Sequence, residues 1–328
     1  MRRIKIESQL HLFADNFSMQ LFSTRRNTGN NAFTFPIDLI TRLKLKYHSS
    51  PREYDFLLFL EYNYFDILKC TPSIQEKLIE YVDSVYSNLF FENNKATFFS
   101  DEVVNALRYD ALREKEGLAM IDFIGTKTCI YCNAQLAVVV TKEKERKARL
   151  ELDHFFPKSR YPYLCTSFFN LLPVCSNCNK SKSNEKVSLK THFHLYTETD
   201  ELEQFHFNLN ETGLINYFLE KDFKHLIVEF NDGKNASVEI AEKHNSLFAI
   251  KGVYETQKDI VEELVYKAEA YSKAKKRDLI MFKQLFPNKA IIDRILIGNY
   301  VNNVDIHKRP LAKFTQDIAK QLGLLPEN

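Results

Sequence analysis

The chain has 328 residues, which at roughly 150 residues per domain suggests two domains and a core large enough to need no disulfide staples. Hydrophobic residues make up 45% of it, with only 8 Gly and 9 Pro, and this excludes disordered and fibrous classes. Lys plus Arg number 45 against 43 Asp plus Glu, a formal charge of +2, so a binder held to nucleic acid by bulk charge is excluded and any anion site must come from local clustering.

No stretch reaches the ~18 to 20 uninterrupted apolar residues of a membrane helix, and the charged start Met1 to Ser8 has no apolar signal core behind it. These features predict a soluble, cytoplasmic chain with no membrane role. In such a reducing compartment close cysteine pairs favour metal over disulfides.

In chain order, residues 1–123 form an N-terminal region that reads mostly as helix. Apolar spacing predicts helices over 73–91 and 101–123, the second opened by Asp101 as a cap. Residues 52–68 fit a buried helix or a strand, with helix favoured. Their aromatics (Tyr54, Phe56, Phe59, Tyr62, Tyr64, Phe65) sit at spacings that suit core packing better than a base-stacking stripe. The segment 124–190 changes character, with short apolar runs, turn residues and a charged stretch at 142–149 read as an exposed loop. From 191 to 328 a small sheet precedes helices. Asn210-Glu211-Thr212-Gly213 reads as a turn, and Asn231-Asp232-Gly233-Lys234 as a hairpin joining strands 226–230 and 237–240. Helices follow at 256–286, broken near 273–278, at 289–297 and at 310–322, where Gly323 ends the last.

The chemistry concentrates in the middle segment. Four of six cysteines fall as Cys129-x-x-Cys132 and Cys175-x-x-Cys178, 42 residues apart. The x-x spacing lets both sulfurs of a pair point at one ion, so two pairs make one tetrahedral Zn2+ site. That site clamps the base of an inserted structure and is read as structural. Within the insertion, Leu150-Glu151-Leu152-Asp153-His154 is an alternating strand ending in an acid and an imidazole. Neighbouring strand residues point to opposite faces, so Asp153 and His154 have different jobs: one can hold a metal and the other can handle a proton. A second strand leads to Asn170-Leu171-Leu172-Pro173-Val174, and Cys175-Ser176-Asn177-Cys178-Asn179 turns into a helix.

This order of strand, loop, strand and helix resembles the HNH endonuclease family, whose ββα-metal fold carries an Asp-His pair ending the first strand, an Asn in the following loop, and a His or Asn early on the helix. The matching positions are Asp153, His154, Asn170 and Asn179. The resemblance implies an α+β, mainly helical protein with a central ββα-metal nuclease core at 124–190 and a structural zinc site, flanked by helical regions and a small antiparallel sheet. It implies that Asp153 and Asn179 hold a catalytic Mg2+ or Mn2+, that His154 is the general base, and that Asn170 braces the loop behind it. The third signature position is Asn179 in place of His, which suits a hard cation. With an ordinary His as base, the rate should rise between about pH 6 and 8. Lys158, Arg160, Lys180 and Lys182 cluster nearby as substrate contacts to backbone phosphates or as solvated surface charge. More narrowly, the run Asp153 to Pro162 with Asn170 to Asn179 resembles the HNH subunit of Septu-type and retron-associated antiphage systems. This implies a nucleic-acid substrate, DNA ahead of RNA or tRNA, and an ABC-type ATPase partner, because the chain has no G-x-x-x-x-G-K-[ST] run of its own. The competing reading is a non-catalytic, zinc-stabilised binding or assembly module.

Overall fold

The computed structural model describes residues 1–24, 35–114, 116–143, 145–271 and 288–326. The fold is mainly helical with small two-stranded sheets, and it packs as two compact units. One comprises Ile4–Ile124 and Val139–Asp200; the other comprises Met1–Arg3, Gly125–Val138 and Glu201–Asn328. The division at 123 and 190 expected from composition groups the chain by sequence character, whereas packing joins the N-terminal helices to the strand-rich insertion.

In the first unit, helices Pro36–Lys46, Pro51–Lys69 and Pro72–Val85 each begin on a proline, whose fixed φ and missing N–H suit the first helical turn. Helix Pro51–Lys69 buries Phe56, Leu57, Leu60, Tyr64, Ile67 and Leu68 on one face, so the 52–68 stretch is helix; of its aromatics Phe56 and Tyr64 are core, Tyr54, Phe59 and Phe65 are half-buried and Tyr62 is 89% exposed. Phe56 packs edge-on against Phe90 at 4.7 Å and lies 5.9 Å from the Tyr163 ring. The same helix supports the inserted structure through Ile67 O, which accepts from Ser167 Oγ at 2.7 Å.

Two helices differ from expectation. The one expected over 73–91 ends at Val85, and the chain turns through Asn93 and Asn94, both at positive φ, between the tiny strands Phe91–Glu92 and Lys95–Ala96. The one expected over 101–123 starts earlier, at Phe98, where Thr97 Oγ1 accepts from Ser100 N. It then breaks after Ala106, and the described helical residues resume at Tyr109–Glu114 and Glu116–Ile124. The break is at Arg108, at φ +57°, and it turns Tyr109 inward. The charged stretch 142–149 is not a loop: strand Val138–Lys142 pairs with Glu145–Arg149.

In the second unit, Phe205–Leu209 pairs antiparallel with Val228–Asp232. Asn210-Glu211-Thr212-Gly213 is the start of helix Glu211–Glu220, with Asn210 Oδ1 accepting from Gly213 N. The hairpin expected at 231–234 does not form. Asp232 turns its carboxylate onto Ile240 N and Ala241 N and accepts from Gln204 Nε2, so 237–240 leads into helix Ala241–Phe248 instead of a return strand. Helix Lys289–Ile297 lies as expected, and the last helix is Ala312–Gln321, with Gly323 beyond it at φ +68°. The basic run Lys273, Lys275, Lys276 and Arg277 lies outside the described residues.

Asp232→Ala removes acceptors from three donors, and we expect it to lower unfolding free energy by about 1–3 kcal/mol, measured as the denaturant midpoint. An unchanged midpoint would refute this role.

Candidate active site

Strand Glu151–His154 pairs antiparallel with Leu171–Val174, placing Asp153 opposite Leu172 and His154 opposite Leu171. Leu152, Leu171, Leu172 and Val174 are buried, and Pro173 is tolerated because both strands of a two-stranded sheet are edges. The chain then enters helix Ser176–Lys182, where Asn179 N–H donates to Cys175 O at 3.0 Å, and leaves it at Ser183, at φ +45°. This is a strand, strand, helix unit with Asp153 and His154 at the end of its first strand.

The long loop between the strands is closed at its base by Asn170, which is fully buried. Its Oδ1 accepts from Phe156 N at 2.8 Å, and its Nδ2 donates to Phe156 O at 3.1 Å and Leu164 O at 3.0 Å. Its own carbonyl accepts from Phe155 N at 2.9 Å. A carboxamide can do this because it offers an acceptor and two donors from one planar group. Phe155, Phe156, Tyr163, Phe168 and Phe169 fill the loop. The backbone leaving His154 is therefore fixed on both sides.

His154 is buried, with Nε2 at 2.9 Å from Cys165 O. A carbonyl only accepts, so Nε2 carries the hydrogen and Nδ1 is the nitrogen free to take a proton. Burial pushes the imidazole down to about 3, and the cations of Lys158 and Lys182 add to the shift against the hydrogen bond to the Cys165 carbonyl. The Tyr109 ring lies 4.5 Å from the imidazole, its hydroxyl donates to Leu152 O at 3.1 Å, and Lys158 Nζ stands 4.6 Å over the same ring.

Asp153 is 5% exposed. Lys182 Nζ lies 3.1 Å from its carboxylate oxygens and 2.7 Å from His154 O. Burial lowers the Lys182 pKa, opposed by the Asp153 carboxylate. This is a correction to Lys182 as a surface phosphate contact: at 2% exposure its ammonium faces the acid, because it lies four residues after the buried Cys178, on the inward side of the helix. Lys180 is exposed and Asn179 half-buried on that helix. Arg160 donates from Nε to Asn184 O and stacks its guanidinium 3.9 Å over Phe91. A carboxylate and a carboxamide offer oxygen donors of the kind hard divalent ions accept, although here the carboxylate faces the Lys182 ammonium. Tyr109 carried no signal in the sequence, since only the fold brings it to the strand.

Cys129, Cys132, Cys175 and Cys178 are all buried, and their sulfurs lie within 4.8 Å of one another. Thiolates bound to one Zn2+ at ~2.3 Å stand about 3.8 Å apart in a tetrahedron, so the set fits such an ion. The first knuckle is held by Tyr254 Oη donating to Cys132 O at 2.8 Å and by His244 Nε2 at 2.8 Å from Tyr131 O.

Asn170→Ala leaves two carbonyls and an N–H buried without their partner, and we expect a loss of about 2–4 kcal/mol in unfolding free energy. Asn170→Asp, lacking donors, should recover little of it. A thermal melt of Asn170→Ala matching wild type would contradict the brace.

The HNH endonuclease family matches residues 129–188. The chain is also similar to the Septu protein PtuB of Bacillus thuringiensis, at 37% identity over 65 residues, which is 20% of this chain and 22% of that protein. It thus aligns with about a fifth of the length of that curated relative. No solved structure matches. Among the described residues, no helix is long and apolar enough to cross a membrane. The strand–strand–helix unit, its Asp-His strand end and the four-thiol cluster converge with the family match: the chain carries an HNH endonuclease domain at residues 129–188.

Proposed function

We propose that the chain is a metal-dependent endonuclease that hydrolyses phosphodiester bonds, DNA ahead of RNA, and acts in antiphage defence beside an ATPase partner. The observation that carries the chemistry is the tautomer of His154: with Nε2–H committed to Cys165 O, Nδ1 presents a lone pair, the group a general base needs. Asp153 and Asn179 would hold the catalytic ion. A divalent cation there supplies charge neutralisation at the scissile phosphate and stabilises the leaving oxygen. His154 Nδ1 takes the proton of the attacking water, and Asn170 keeps the imidazole in place through the backbone it ties down. The products are a 5′-phosphate and a 3′-hydroxyl. Lys158 and Lys180 supply backbone contacts that read phosphate and carry no sequence information. The defence role rests on likeness to the Septu protein PtuB.

Incubation with plasmid and with total RNA in Mg2+ or Mn2+ tests the reading. His154→Ala should cut about 10² to 10⁴ times more slowly, and equal rates would leave a non-catalytic zinc-stabilised module as the answer. A base works unprotonated, so activity is lost as pH falls through its pKa. With His154 pushed down to about 3, it stays neutral across pH 6 to 8, and the rise expected there from an ordinary His is replaced by a flat profile. A rate increase centred near pH 6.5 would contradict this.

The four-cysteine cluster is assigned Zn2+ in a structural role. Mass spectrometry of the metal content should give about one zinc per chain, falling in Cys175→Ser together with the melting temperature. Well under one ion in the wild type would refute the site.

A further inference from the structure

Lys182 does something a surface lysine cannot, because its Nζ is within hydrogen-bond distance of the Asp153 carboxylate and the His154 carbonyl while 2% of the residue is exposed. We propose that Lys182 is a resident cation that weakens the divalent ion's hold on Asp153 until a phosphodiester is present, so that metal and nucleic acid load together. The inference rests on the metal-nuclease reading above and assigns this residue a role in controlling that site.

The argument is one of charge. Of the residues assigned to the catalytic ion, Asp153 is an anion and Asn179 is neutral. One buried carboxylate matched to one ammonium is already a balanced pair. A divalent cation arriving beside it leaves a buried excess of two positive charges, a like-charge arrangement that a low-dielectric site penalises strongly. The next carboxylate whose charge Lys182 feels is that of Glu185, on the exposed turn after the helix, where solvent screens it. Lys158, the other cation close enough to act on His154, adds to the excess. A phosphodiester brings one negative charge to the place where it accumulates, so its binding restores ion affinity, and by linkage the ion raises affinity for the phosphodiester by the same factor.

The test is direct Mn2+ titration of the zinc-loaded full chain without nucleic acid, comparing wild type, Lys182→Met, Lys182→Arg and Asp153→Asn. Methionine keeps the stem volume and removes the charge; arginine keeps the charge. We expect Lys182→Met to bind Mn2+ at least about tenfold more tightly than wild type, Lys182→Arg to stay close to wild type, and Asp153→Asn to lose this binding. Zinc content and a cooperative melt establish that each variant is folded. Should Lys182→Met not fold, the His154→Ala chain, which keeps Lys182 and leaves a duplex uncut, decides: its Mn2+ affinity must rise at least about tenfold on adding a DNA duplex, and an unchanged affinity overturns the inference. Equal affinity in wild type and Lys182→Met, abolished by Asp153→Asn in both, overturns the inference and leaves the nuclease reading standing. Mn2+ binding indifferent to Asp153→Asn overturns the metal-site reading itself.

Discussion

The site depends on one closure. The strands that carry Asp153 and run out of Asn170 are only four residues each, too short to hold a catalytic pair by ladder hydrogen bonds alone. What makes them a scaffold is the Asn170 carboxamide, which spans the mouth of the loop and bonds Phe156 on both its polar atoms. The loop then becomes a filled aromatic cap with a fixed base, and the His154 imidazole reaches Cys165 O because the loop brings that carbonyl back beneath the strand. Breaking the closure would loosen the backbone leaving His154 before it affected the helix that follows.

Buried charge is handled the same way at Asp153 and in the other unit. Lys313, 2% exposed, lies between Glu203 at 3.1 Å and Asp317 at 2.8 Å, while Asp317 also accepts from Phe207 N. There three charges and a strand N–H form a satisfied network whose role is to fasten the last helix to the sheet. At Asp153 the pair is smaller, one ammonium facing one carboxylate, and it stands within the stretch that the HNH family matches.

Much of the site was legible because its determinants are local. The Cys-x-x-Cys spacings, the alternating run ending in Asp153-His154 and the Asn170-Leu171-Leu172 strand entry each follow from neighbours a few residues apart. What was not legible depends on long-range geometry. Lys182 and Lys180 look alike in sequence, and only helix phase sends one to the acid and leaves the other in solvent. Tyr109 reaches His154 because Arg108 breaks a helix that periodicity would continue. In the same way, Asn231-Asp232-Gly233-Lys234 has the residues of a hairpin, but Asp232 finds stronger partners in Ile240 N and Ala241 N, and the return strand is lost. The lowered pKa of His154 was also hidden, since an imidazole's pKa follows its burial and the cations around it.

The central claim is that Asp153, His154 and Asn179 serve one hard cation. Crystals of the zinc-loaded chain bound to a non-cleavable phosphorothioate duplex, soaked in Mn2+ and measured at the manganese absorption edge, test it most directly. The account predicts an anomalous peak bridging the side-chain oxygens of Asp153 and Asn179, with His154 Nδ1 facing the ion's water. A peak elsewhere, or an Asn179 amide turned away from it, would contradict the account.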